Sequence, residues 1–164
     1  LDEHSYEINT LLKNLRRQSL SVEDLSGEYD DRHLTLLSVL YARNGARDWE
    51  TKSGDPARIA TIGDKELTVH HIFPESGLGK NGYEEELRND FANITLISKQ
   101  ANTTLKDKAP STYLEELYVA DPALLKLHFI PEDRVLWRTE KYLDFLKHRR
   151  QRILEAFRRL FEQG

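Results

Sequence analysis

The chain has 164 residues, of which 38% are hydrophobic and 32% are charged, values typical of a soluble globular protein that can bury a core. It contains no cysteine, which excludes a disulfide framework and a thiolate zinc site. No apolar run approaches the roughly 18 residues that cross a bilayer, and the opening residues do not form a signal peptide. We therefore expect a cytoplasmic protein that does not contact a membrane.

The net charge of −4 hides an uneven distribution of charged residues. Residues 134–164 contain nine Lys or Arg and four Asp or Glu, a local net charge of +5. Binding to nucleic acid depends on such local basic segments more than on the total charge. The composition therefore does not exclude a nucleic-acid partner.

In chain order, apolar residues at helical spacing and residues that cap or stop helices predict six helices. These helices are expected over about residues 6–17, 31–44, 98–106, 111–118, 122–128 and 140–161. Two β-prone runs, 66–73 and 94–97, predict short strands, and residues 48–64 have the Gly and Pro content of a loop. The expected fold is mainly α with a small central two-stranded β element.

This layout suggests one compact domain with three segments. Residues 1–50 form an N-terminal helical segment, residues 51–120 carry the strands and their flanking loops, and residues 121–164 form a C-terminal helical segment that packs on them. Trp49 and Trp137 are expected in the core.

The polar residues of interest lie where the predicted strands begin and end. His70 and His71 end the first strand, Asn93 precedes the second, and Asn102 lies in the helix that follows. Adjacent strand residues point to opposite faces, so one histidine could face a metal ion while the other faces a water molecule. Each residue also has a plainer interpretation: a core or surface histidine, a turn asparagine, or a solvent-facing helix residue.

Taken together, these residues resemble a known motif. Val69–Pro74, Asn93–Leu96 and Asn102 with Lys106–Pro110 look like the HNH (ββα-metal) finger of the GmrSD-type restriction endonucleases. Outside the finger, the similarity includes a lead-in helix and parts of the C-terminal segment. It covers most of the chain from about Leu34 onward.

The resemblance implies a role for each matching residue. His71 corresponds to the general base, and His70 to the preceding metal ligand, which is Asp in many HNH enzymes. Asn93 corresponds to the middle catalytic position, which braces the loop between the strands and helps to orient the base. Asn102 corresponds to the final metal ligand. Imidazole nitrogen and amide oxygen without a thiolate suit a divalent metal, most simply Mg²⁺ or Mn²⁺.

The implied activity is metal-dependent cleavage of DNA by an endonuclease or nickase of a bacterial anti-phage protein. The family places an N-terminal nucleotide-hydrolysing and sensing domain before the nuclease, and a chain that begins at Leu1 is expected to be a fragment of such a longer protein. The alternative is a degenerate HNH-like module that binds DNA or a partner domain without cleaving.

Two basic groups are candidates for contact with DNA phosphates. The first flanks the motif and comprises Lys99, Lys106 and Lys108; the second lies in the last helix and comprises Arg149, Arg150 and Arg152. The plainer interpretation of both groups is the solvated face of an amphipathic helix. The acidic run Glu84–Glu86 should keep DNA away from that part of the surface.

Overall fold

The computed structural model describes residues 9–10, 12–14 and 20–162. The helix predicted over residues 6–17 falls largely outside this set. Within the described part of the chain, no helix is both long and apolar enough to cross a membrane.

The described residues form a mainly helical structure with one two-stranded antiparallel sheet, which confirms the predicted fold class. The elements are α1 (Asp31–Asn44), β1 (Leu67–His71), α2 (Glu75–Lys80), α3 (Glu85–Arg88), β2 (Ile94–Ser98), α4 (Lys99–Leu105), α5 (Pro110–Ala120), α6 (Pro122–Lys126) and α7 (Tyr142–Glu162). Helices α2 and α3 occupy a stretch rich in Gly, Asn and Glu, for which the sequence predicted no helix. Packing of Leu78, which is 1% exposed, holds α2 in place despite its two glycines.

Helix α1 shows how local sequence sets an element. The Asp30 side chain accepts a hydrogen bond from the His33 backbone N–H at 3.0 Å, and the His33 ring accepts one from the Asp30 N–H at 3.1 Å. This reciprocal capping box begins the helix, and Gly45, at φ 70°, ends it in the left-handed conformation that glycine adopts without strain. Both boundaries agree with the sequence-based prediction.

The sheet and the helix after it form a ββα unit. Strand β1 pairs with β2 so that Leu67 lies opposite Ser98 and His71 opposite Ile94. Ser98 then caps α4 by accepting a hydrogen bond from the Ala101 N–H at 3.0 Å. Helix α4 contacts both strands, which brings its first turns next to the end of β1.

Two hydrophobic clusters lie against the sheet. The adjacent strand residues Ile97 and Leu96 belong to different clusters, as the alternation of strand side chains requires. The first cluster contains Trp49 and Trp137, which are 2% and 1% exposed, so their predicted core positions are correct. The second joins residues of α1 to residues of α7, so the first and last segments of the chain pack together.

A buried guanidinium links α7 to the sheet. Arg149 is 0% exposed, and all five of its N–H groups donate hydrogen bonds at 2.7–3.3 Å. The acceptors are the backbone carbonyls of Ala92, Ile94 and His128 and the hydroxyl of Tyr41. The prediction that Arg149 contacts DNA is therefore wrong, because no donor is left to reach a phosphate.

The hydrogen bonds continue from Tyr41 through the core. The Tyr41 hydroxyl lies 2.6 Å from the Thr95 hydroxyl, which lies 2.7 Å from His128 Nδ1. His128 Nε2 lies 2.7 Å from the Arg47 carbonyl oxygen. We call Arg149, Tyr41, Thr95 and His128 the core network.

Candidate active site

A cleft of about 290 Å³ opens where β1 ends and α2 begins, beside Asn102 of α4 and the two residues that follow this helix. Four residues that the sequence singled out line it: His70, His71, Asn102 and Lys106. His70 is 1% exposed, whereas the side chain of His71 is 22% exposed. The cleft thus has one buried and one accessible imidazole, as expected for neighbouring residues on a strand.

The accessible imidazole of His71 is held at one nitrogen. Its Nε2 lies 2.8 Å from Asn89 Oδ1, which can only accept a hydrogen bond, so the proton of the neutral ring sits on Nε2. The Nδ1 lone pair has no hydrogen-bond partner among the described residues and is free to accept a proton. The Glu75 carboxylate lies 4.0 Å from Nε2, where it would stabilise a positive charge on the ring.

The buried imidazole of His70 lies between two polar side chains. Its Nδ1 is 2.8 Å from Asn102 Oδ1, and its Nε2 is 3.3 Å from the Tyr113 hydroxyl oxygen. The Tyr113 hydroxyl donates its own proton to the Ile72 carbonyl at 2.5 Å. We call His70, Asn102 and Tyr113 the cleft network.

Two tautomers of His70 are compatible with this geometry. A proton on Nδ1 is donated to Asn102, and a proton on Nε2 is donated to the Tyr113 oxygen. In the second tautomer the Nδ1 lone pair and the Asn102 amide oxygen face each other. Their 2.8 Å separation is close to the ~2.9 Å between adjacent ligands of an octahedral cation bonded at 2.0–2.1 Å.

Burial keeps the His70 ring neutral. Desolvation lowers its pKa to about 4; the hydrogen bond with Asn102 partly offsets this shift, and the nearby His71 adds to it. At neutral pH the ring therefore carries a single proton, on Nδ1 or on Nε2, and the other ring nitrogen keeps its lone pair.

The acidic side chains of this cleft do not form a metal-binding cluster with its histidines. Among the residues described, no three His, Cys, Asp or Glu side chains are grouped so that they could hold a metal ion. The pair that fits a cation is His70 with Asn102, and Glu75 and Asp107 line the same cleft. Two protein ligands would leave most of the coordination sphere of such a cation to water.

Asn93 braces the loop after β1. It is 0% exposed, its Oδ1 accepts from the Phe73 N–H at 2.8 Å, and its amide group donates to the Phe73 and Arg88 carbonyls. This is the bracing position that the resemblance implied. The hydrogen-bond partner of the His71 ring is Asn89, whereas the partners of the Asn93 side chain are the backbone groups of Phe73 and Arg88.

The other predicted DNA contacts do not gather at the cleft. Lys99 and Lys108 are exposed but do not line it, and Lys108 lies 3.6 Å from Glu116. Arg150 does not line the cleft either, and it forms a largely buried ion pair with Asp90. Arg152 lines a different cavity.

Sequence reasoning missed Asn89 and Tyr113. Asn89 follows the short helix α3, where an asparagine is ordinary, and Tyr113 lies in α5, where its spacing indicates only a core residue. Their link to the histidines depends on how distant segments meet, and nothing in the local pattern could have revealed it.

Comparisons with known proteins give no relative: no protein-family model, no curated protein and no solved structure matches this chain.

Proposed function

We propose that this chain is an HNH-type endonuclease or nickase that hydrolyses phosphodiester bonds in DNA with Mg²⁺ or Mn²⁺. The observation that carries the proposal is that two histidines with different hydrogen-bond partners line one cleft. His71 has a fixed proton on Nε2 and an available Nδ1, while His70 and Asn102 present two ligand atoms 2.8 Å apart. The sequence resemblance to the HNH finger points to the same residues.

In this proposal His71 is the general base. Nδ1 takes a proton from the attacking water, and the resulting imidazolium is stabilised by Asn89 and by the nearby Glu75 carboxylate. His70 and Asn102 would hold the cation, whose chemistry is to neutralise the scissile phosphate and the leaving 3′ oxygen. Lys106 at the rim of the cleft can pair with a neighbouring phosphate.

The biological setting follows from the resemblance. The chain would be the effector part of a restriction protein that acts against phage, within the cytoplasm. By the same resemblance, the choice of DNA would belong to a preceding nucleotide-hydrolysing and sensing domain of the longer protein.

A second candidate is a finger that binds DNA or a partner domain without cutting. The small number of metal ligands favours this candidate. Among the described residues, His70 belongs to no group of three or more His, Cys, Asp or Glu side chains that could hold a metal ion. The two candidates differ in one measurable property, the hydrolysis of a phosphodiester bond.

Conversion of supercoiled plasmid to nicked circles in Mg²⁺ or Mn²⁺ tests the proposal. We expect nicking by the wild type, none in EDTA, and a loss of roughly 10²–10⁴-fold in His71→Ala, the range that a general base contributes. Lys147→Ala, at an exposed position of α7 away from the cleft, is the control and should cut at the wild-type rate. A wild type that binds DNA but never nicks it would leave the binding module as the function.

A further inference from the structure

A second and larger cavity lies away from the cleft. It has a volume of about 1180 Å³, runs between α1, α7 and the residues that end α6, and shares no lining residue with the cleft. We call this cavity the basic groove. Small-molecule pockets usually measure about 300–1,000 Å³, so its size suits a segment of a polymer.

The groove concentrates positive charge in an acidic chain. The net charge of the chain is −4, yet the described lining includes five Lys or Arg and one acid. The basic residues are Lys13, Arg43, Lys126, Arg152 and Arg159. The acid, Glu155, already lies 3.8 Å from Arg159, so it is partly neutralised.

This surface is assembled from separate segments. On α7, His148, Arg152, Glu155 and Arg159 follow one face at helical spacing, while Arg149 and Arg150 turn inward to the core network and to Asp90. Arg43 comes from the end of α1 and Lys126 from the end of α6. Of the three arginines of α7 that the sequence singled out, Arg152 lines the groove, and Arg149 and Arg150 do not.

The other residues that line the groove indicate which class of ligand it would bind. Asn44 and Gln151 add hydrogen-bond donors beside the cations, and the apolar residues include Leu40, Leu127 and Phe161. Cations and amides suit phosphates and sugars, whereas an apolar floor suits the faces of unpaired bases. A duplex keeps those faces stacked inside and would leave the floor without a partner.

We propose that the basic groove binds single-stranded nucleic acid. The inference deepens the proposed function, because it gives the strand a second contact outside the cleft. Its test does not measure cleavage. Absence of nicking would therefore not contradict binding in the groove, and absence of binding in the groove would not contradict nicking.

The test is fluorescence anisotropy with a labelled oligothymidylate in EDTA, long enough to span a site of roughly 4–16 nucleotides. Arg43→Glu combined with Arg159→Glu reverses two charges of the groove. Lys147→Glu combined with Arg158→Glu makes the same change in net charge at exposed positions of α7 that do not line it. At low salt we expect the groove variant to weaken binding at least about tenfold and the control variant to weaken it less than about threefold.

Three results would overturn the proposal. The first is no binding by the wild type at low salt, and the second is equal weakening in the two double variants, which would indicate charge alone. The third is displacement of the oligonucleotide by polyglutamate at a lower concentration than by unlabelled oligonucleotide, which would assign the groove to an acidic protein segment. Circular dichroism of both variants checks that each retains the helical fold.

Discussion

The core network and the cleft network are both buried, and both are built around a neutral histidine, but they differ in how their protons can be arranged. In the core network the direction of every hydrogen bond is fixed. The Arg47 carbonyl only accepts, so His128 donates from Nε2 and accepts at Nδ1. Thr95 must then donate to His128, and Tyr41 must donate to Thr95 while it accepts from Arg149.

The cleft network allows two arrangements. His70 can donate to Asn102 or to the Tyr113 oxygen, and the choice decides whether a nitrogen lone pair faces the amide oxygen. A network whose hydrogen bonds can point in only one way stabilises a single structure. A network with two possible proton arrangements can change from one to the other when a ligand binds. This difference separates the histidine that we assign to the fold from the histidine that we assign to function.

The largest expected effect comes from breaking the core network. Arg149→Met removes all five donors and leaves buried acceptors without partners, so we expect a loss of about 3–5 kcal/mol in the free energy of unfolding. Urea unfolding measures it, and Arg158→Met, at an exposed position of the same helix, is the control. A loss below about 1 kcal/mol would mean that the core network does not hold α7 to the sheet.

This arginine also shows where sequence reasoning stops. The apolar period of the last helix predicted α7 to within about two residues, because a stripe of Phe, Leu and Ile must face a core. The same period does not distinguish an arginine at the edge of that stripe from one on the wet face. The burial of Arg149 becomes evident only from the fold. There its guanidinium donates hydrogen bonds to the Ala92 and Ile94 carbonyls, which are far away in sequence.

The residues of the candidate site also fall into two groups, those that the local sequence predicts and those that it does not. His70, His71 and Asn102 could be predicted because strand ends and a helix cap fix their positions locally. Asn89 and Tyr113 could not, since each touches its histidine through a tertiary contact. Helices α2 and α3 were missed because packing outweighed a local composition typical of loops.

The two networks share a buried imidazole that burial keeps uncharged. Burial lowers the pKa of His128 to about 3 and that of His70 to about 4, whereas the unfolded chain protonates both near 6.5. The unfolded state therefore takes up protons first as the pH falls. The stability that the two neutral rings contribute is complete above about pH 6.5 and decreases towards about pH 4 by about 1 kcal/mol per pH unit for each ring.

Unfolding free energies measured between pH 7 and pH 5 test this dependence. His128→Gln and His70→Gln should each reduce the slope by about 1 kcal/mol per pH unit, and His148→Gln at an exposed position should leave it unchanged. An unchanged slope in either buried variant would show that its ring is already charged in the folded protein.

We expect metal binding to depend on the cleft network and not on the core network. Asn102→Ala removes one of the two proposed ligands, so we expect Mn²⁺ affinity measured by calorimetry to fall at least about tenfold with little change in stability. Thr103→Ala, at the next and exposed position of α4, is the control, and His71→Ala should bind Mn²⁺ as the wild type does. Equal loss in His71→Ala and Asn102→Ala would mean that the roles of the two histidines are misassigned.

The smallest expected effect comes from two buried tyrosines, one in each network. Tyr41→Phe and Tyr113→Phe each remove a single hydroxyl, and each should cost about 1–2 kcal/mol of stability, because partners are left unsatisfied. Only Tyr113→Phe removes the acceptor for the proton on His70 Nε2, which is the tautomer that frees Nδ1 for a cation. We therefore expect a several-fold loss of Mn²⁺ affinity in Tyr113→Phe and none in Tyr41→Phe, since an outer partner that fixes a histidine tautomer raises metal affinity. If both substitutions leave Mn²⁺ affinity unchanged while stability falls equally, the two networks are equivalent, and the second tautomer of His70 has no role in binding a cation.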